Sequence, residues 1–378
     1  MEPQRLIRSI FLSLWVLLLP FWDFGAGLAL GLAVVSMIFI EGLKALQNKW
    51  KTRGGFNALF GIVVMVGVSA LWHSMAQEEI WKYWPLIGLL WVYDHQTAQR
   101  ALPIGAAAVM LYLTGFALWR WSHGVPFADL LYRGLLGGLH QHVYLGTYLL
   151  LGALAAQNLP LRPWLKQVFW GFTLLVLGLM GAKMLLLSAL LAVVWFYSRT
   201  NTQMRLHKGV LYLAILVAGF TLAQGLSHGR ALGHVMKKVD PHWATGSIDT
   251  RLVQSQAAWT LIKEKPITGW GPRAVQSALD SQYTAMDYRF GLKRHLNVHN
   301  QFLQWGLAWG LFGFVLLMAC FVWGYKVHPP SRPYGGMFVL YFGSLMLTES
   351  FMERALGISL LALAWAWVLH QKEASDMA

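Results

Sequence analysis

A chain of 378 residues with 57% hydrophobic and only 12% charged residues, 20 Trp and a mean hydropathy of +0.48 is not built to dissolve in water. Soluble chains carry about 25% charged residues, so half that share points to lipid as the solvent. The formal net charge of +14 favours anionic partners, and the single cysteine, Cys320, excludes an intramolecular disulfide.

From the N-terminus, Arg5 and Arg8 precede the first apolar run, Ile10–Phe21, with no small-residue cleavage site after it, so this segment is expected to stay as a signal anchor. Further apolar runs follow at Ala26–Ile40, Leu59–Leu71, Ile104–Trp119, Val168–Met180, Met184–Tyr197, Val210–Leu222, Phe312–Trp323, Phe338–Leu347 and Leu356–Leu369. Ile80–Val92 and Leu136–Ala156 are more polar candidates. A span needs roughly 20 mostly apolar residues, which gives about twelve transmembrane helices. The expected fold is all-α and polytopic. Residues 1–222 hold helices one to nine, 223–298 a large external loop with short helices, 299–370 helices ten to twelve, and 371–378 a disordered cytoplasmic tail.

Basic residues set the orientation. With the N-terminus in the cytoplasm, the inside segments hold fifteen, among them Arg5, Arg8, Lys44, Arg100, Arg162, Lys166, Lys208, Lys326 and Lys372. The short outside segments hold five: Lys82, Arg120, Arg133, Lys183 and Arg354. Both termini are then cytoplasmic. The other ten of the 30 lie in the large loop, including Arg230, Lys237, Lys238, Arg251, Lys263, Lys265, Arg289 and Arg294. A long loop translocates whatever its charge, so this basicity is free to serve an anionic partner.

Within the loop, SIDTRLVQSQAAWTLIKEKPITGWGP reads as a helix with defined ends. Ser247 or Asp249 caps it, Pro266 stops it, and Gly269 and Gly271 make the turn beyond. Leu252, Trp259 and Ile262 form an apolar face that would lie on the membrane surface, with Arg251 in the first turn.

The next apolar segment opens with HLNVHNQFLQWGLAWGLFGF. His295 and His299, four residues apart, could share a helical face as zinc ligands do, but no HExxH pattern accompanies them. P-loop, GxSxG and DFG patterns are absent too, which leaves nucleotide-driven transport and serine acyl transfer without support. A neutral imidazole can take a proton at ambient pH, so His299 fits a general base acting between a lipid-linked anionic donor and a hydroxyl acceptor. Arg251, Lys183 and the loop arginines Arg289 and Arg294 supply cations for a departing phosphate. RGLLGGLHQHVYLG and TESFMER place Arg133, His140, His142, Glu349, Glu353 and Arg354 on the same side, where they could orient the base or bind sugar hydroxyls, or merely pack. The tryptophans at helix ends (Trp22, Trp81, Trp84, Trp119 and Trp121) read as an interfacial belt rather than as sugar platforms.

His299-Asn300, nine residues, then Gly310-Leu311-Phe312-Gly313 resembles the H-[NSQ]-x9-G-x-x-[GTY] signature of the O-antigen ligase and polymerase superfamily. Arg251, Trp259, Pro266, Gly269, Trp270 and Gly271 are similar to its upstream R…W…P…GxG segment. The resemblance implies a membrane glycosyltransferase of the GT-C type in the bacterial inner membrane, its active site facing the periplasm. Its donor would be an undecaprenyl-pyrophosphate-linked glycan, with no metal, nucleotide sugar or nucleic-acid partner. It makes His299 the catalytic base, Arg251 the holder of the donor pyrophosphate, Asn300 a supporting residue, and Gly310 and Gly313 packing residues. Lys183, in LMGAKMLLLSALL, stands where many members carry an arginine; it keeps the charge and loses the bidentate grip. Ligation to lipid A-core is the favoured reading, with polymerisation by the same superfamily as the alternative. A transporter or flippase, from a different class, would explain the spans and the cations without catalysis.

Overall fold

The computed structural model describes residues 3–52, 62, 64, 66–67, 82–136, 138–181, 183–198, 214, 217, 241, 247–326 and 334–376. Among these residues all regular structure is helical. In chain order the helices are α1 (Pro3–Leu18), α2 (Asp23–Thr52), α3 (Trp84–Val92), α4 (His95–Ser122), α5 (His142–Gln157), α6 (Pro163–Met180) and α7 (Lys183–Ser198), then α8 (Ser247–Glu264), α9 (Val275–Ala285), α10 (Arg289–Arg294), α11 (Gln301–Lys326), α12 (Tyr334–Met346) and α13 (Ala355–Asp376). Short 3-10 turns lie at Phe127–Leu130, Tyr132–Leu136 and Phe351–Glu353.

Three of these helices are long and apolar enough to cross a membrane: α4, α6 and the stretch Gln301–Trp323 of α11. Five shorter apolar helices accompany them. Most of the expected spans Val210–Leu222 and Leu59–Leu71, and the loop residues Arg230, Lys237, Lys238 and Asp240, lie outside the described residues. One expectation is corrected: the tail is not irregular, since α13 runs on through Gln371, Lys372, Glu373 and Ala374 to Asp376. These residue types lose little entropy in a helix.

Local signals start and stop the helices. The Asp94 carboxylate accepts from Thr97 N at 2.9 Å and caps α4. A proline opens α6, and Gly181, in the left-handed region at φ 63°, closes it. The bundle then packs α1 on α2 and α4, α4 on α5, α3 on α13, and α7 on α12. Small residues allow the close contacts: a Cβ on Gly152 of α5 would stand 2.4 Å from the Ala106 Cβ of α4. Hydrogen bonds join Thr147 to Tyr341, and Ser344 to Ser188, both at 2.8 Å. Outward faces are apolar and bare; Leu111 is 74% exposed and Phe312 69%. Surfaces of that kind are stable against hydrocarbon and would aggregate in water.

The helix α11 is not one rod. Gly310 has φ 61° and ψ −147°, a conformation open essentially to glycine alone. Phe302 then packs at 6.4 Å from Phe314 and 6.0 Å from Phe321, ring centre to ring centre. In a straight helix, 19 residues would separate Phe302 and Phe321 by about 28 Å. The first arm therefore folds against the second, and Gln301–Trp323 does not run as one straight rod.

Candidate active site at the broken helix

The break in α11 leaves backbone groups without helical partners, and the turn after α8 takes them up. Trp270 N donates to Leu307 O at 2.7 Å, Gly271 N to Ala308 O at 3.0 Å, and Leu311 N to Pro266 O at 2.8 Å. This clip needs bare backbone on both sides. A Cβ on Gly269, at φ 68°, would lie 2.6 Å from Gly310 N, and one on Gly310 would lie 2.2 Å from Ile267 O. The two glycine-containing motifs thus meet through backbone atoms, and the clip fixes the helix of Arg251 to the helix of His299. Gly310 both breaks the helix and allows this close backbone approach. A Cβ on Gly313 would stand 2.9 Å from Trp305 O and from the Trp309 Cβ.

His299 sits just before α11 with φ 50°. Its N–H donates to Asn297 Oδ1 at 3.1 Å. Asn300 caps the helix, its Oδ1 accepting from Leu303 N at 3.0 Å, while its Nδ2 donates to Leu347 O at 2.9 Å. One asparagine therefore starts α11 and holds the end of α12 against it. Gln301, fully buried, accepts through its side-chain oxygen from Met352 N and ties the same helix start to the turn that follows Glu349.

These ties bring Glu349 to His299. The carboxylate Oε1 accepts from the Arg251 guanidinium at 2.7 Å, and Oε2 lies 3.4 Å from His299 Nδ1. Burial pushes the Glu349 carboxyl upward. The His299 hydrogen bond and the positive fields of Arg251, His299 and His142 outweigh it, and the carboxyl ends below its ordinary range. An ionised carboxylate only accepts hydrogen bonds, so in a hydrogen bond between the two groups Nδ1 of His299 is the donor, and a neutral ring then carries its lone pair on Nε2. That is the tautomer a general base requires.

The structure gathers some sequence candidates here and places others elsewhere. His142 opens α5 and acts on Glu349 electrostatically. Lys183 opens α7 and is exposed. The contacts Ser188–Ser344 and Trp195–Gly336 run in opposite senses along α7 and α12, so Lys183 lies at the Glu349 end of the bundle. Arg133 lies in the turn Tyr132–Leu136. His140 is 3.4 Å from Asp23, and Glu353 is 3.5 Å from Lys82. Arg289 pairs with Asp287 at 3.0 Å, and the Arg294 guanidinium stands 4.4 Å from the Phe290 ring centre. His295 turns to Asp280, 2.7 Å away, so it shares no helical face with His299. Sequence reading did not anticipate the backbone clip or the Gln301 tie. A glycine pair on each side of one loop was the only available signal for the first.

A family model described as O-antigen ligase matches residues 96–318, more than half of the chain and both motif blocks. The chain belongs to the O-antigen ligase family. Family members are glycosyltransferase-like enzymes, ligases and polymerases, acting on lipid-linked glycans. No curated protein matches the chain.

Proposed function

We propose that this protein is an O-antigen ligase, moving undecaprenyl-pyrophosphate-linked O-polysaccharide to the lipid A-core oligosaccharide at the periplasmic face of the inner membrane. The observation that carries the reading is Glu349 held between Arg251 and His299 at the mouth of the broken helix. Nε2 of His299 takes the proton of the acceptor hydroxyl as its oxygen attacks the anomeric carbon. The bond from that carbon to the pyrophosphate oxygen breaks, and the pyrophosphate leaves with the electron pair beside Arg251 and the same-end Lys183. Positive charge placed where negative charge develops favours the transition state over the ground state. Both Glu349 oxygens are engaged, so the carboxylate orients the base and is not the nucleophile. A single displacement with inversion follows, with no metal or nucleotide sugar taking part. The proposed orientation is supported by Arg8, Arg100, Arg162, Lys166 and Lys326, on helix ends opposite the site.

Purified protein in detergent, mixed with lipid-pyrophosphate-linked O-polysaccharide and lipid A-core in EDTA, tests the reading. A glycan ladder with the wild type and none with His299→Ala is expected. If the wild type makes no ladder but extends lipid-linked single repeats, the enzyme is a polymerase. If it transfers nothing from either donor, the transporter class takes its place.

A further inference from the structure

The helix α8 buries one apolar side and exposes two large apolar residues among polar ones on the other. Val253, Ala257, Ala258 and Leu261 are buried against the rest of the protein. On the opposite side Leu252 and Trp259, two helical turns apart, are 53% and 55% exposed, and Ile267 just beyond is 61% exposed. Ile262, assigned from the sequence to that outer face, packs inward over Gly306 instead. A helix between protein and water carries polar residues on its outer side; α8 carries a leucine and a tryptophan there besides Gln256, Thr260, Lys263 and Glu264.

What this face meets is set by its neighbours. The Pro266 carbonyl accepts from Leu311 N, so the outer face of α8 continues into Leu311 and Phe312, 57% and 69% exposed on the second arm of α11. Lysines flank it: Lys263 Nζ lies 5.9 Å from the Trp259 ring centre, and Lys265 Nζ 4.1 Å from that of Trp270. Tryptophan and lysine together favour the depth where acyl chains give way to head groups, and lysines there attract anionic lipid. Gln256 and Thr260 in the same exposed region keep the helix from lying deeper.

We infer that the Leu252–Trp259–Ile267 edge of α8 is a membrane-interface face, seated among the lipid head groups of the bilayer that the rest of the chain crosses. Arg251, one residue from Leu252, is thereby held at head-group depth. This stands apart from the transfer reaction and is tested without it. Full-length protein carrying Leu252→Cys, Trp259→Cys or Ile267→Cys is spin-labelled and placed in phosphatidylethanolamine–phosphatidylglycerol liposomes. Cys320 is buried and stays in place. Ser277→Cys and Ser281→Cys on exposed positions of α9 serve as references. Collisions with dissolved oxygen should exceed those with a water-soluble nickel chelate at positions 252, 259 and 267, and the order should reverse at 277 and 281. Nickel-dominated labels at the first three positions would show a water-facing helix and overturn the inference. Labels shielded from both quenchers would show a covering protein, such as a second copy, and overturn it equally.

Discussion

Two histidine–carboxylate pairs sit four residues apart in this chain, and they are not equivalent. His295 meets Asp280 at 2.7 Å, with His295 69% exposed. His299 meets Glu349 at the longer distance of 3.4 Å, with the two side chains 34% and 17% exposed. The shorter bond lies on the outside of α9, where water competes and an ion pair contributes about 0–1 kcal/mol. The longer one is sheltered, has an arginine on the second carboxylate oxygen, and leaves a ring nitrogen open at the mouth of a helix. Apo geometry at catalytic bases is commonly loose, so environment, and not distance, separates the two pairs.

The largest difference should come from removing each ring. His299→Ala should lower transfer by about 10²–10⁴-fold, the usual contribution of a general base. His295→Ala should leave transfer within about twofold, since the pair it breaks is a surface one. Initial rates on lipid-linked donor measure both; equal losses would erase the distinction. Next in size is Glu349→Gln, which keeps the shape but removes the negative charge and one of the two acceptor oxygens that Arg251 and His299 share. A drop in kcat of about 10²-fold with KM nearly unchanged is expected. A rise in KM alone would instead make Glu349 a substrate-binding residue.

Much of this site was legible in the sequence. His299, Arg251, Glu349, His142 and Lys183 were all nameable, because helix caps, breakers and the positive-inside pattern put them at one end of the bundle. Their division into partners was not. The spacing of His295 and His299 invites a shared helical face, yet both residues have positive φ, at 44° and 50°, and precede α11. The break at Gly310 escaped as well: an apolar run of span length scores alike whether straight or folded, and the groups that satisfy its broken backbone come from residues 266–271. The outer face of α8 was half read, because Leu252 and Trp259 are exposed while Ile262, on the same expected stripe, is not.

The clip that holds the inner pair together can be strained directly. Gly310→Ala puts a Cβ 2.2 Å from a carbonyl oxygen at a backbone geometry alanine avoids. It should cost about 2–4 kcal/mol and lower the thermal midpoint in detergent by several degrees. Gly313→Ala, with ordinary backbone and contacts at 2.9 Å, should cost about 1 kcal/mol. If the two variants unfold together, the Gly269–Gly310 contact is not what holds the arms.

The smallest effect is the most diagnostic of how Glu349 is held. Its carboxyl is depressed below the ordinary value of 4.5, against the upward push of burial, by His299, Arg251 and His142. A carboxylate with a lowered folded pKa contributes stability that is fully present above the unfolded value and is lost as pH falls through the folded one. The wild type should therefore keep this contribution at pH 7 and shed it below about pH 4.5. Glu349→Gln, which never has it, should show the smaller fall in thermal midpoint between pH 7 and pH 4. Parallel falls in the two proteins would mean that the arginine and the histidine do not hold this carboxylate ionised, and the assignment of the proton to Nδ1 of His299 would fall with that.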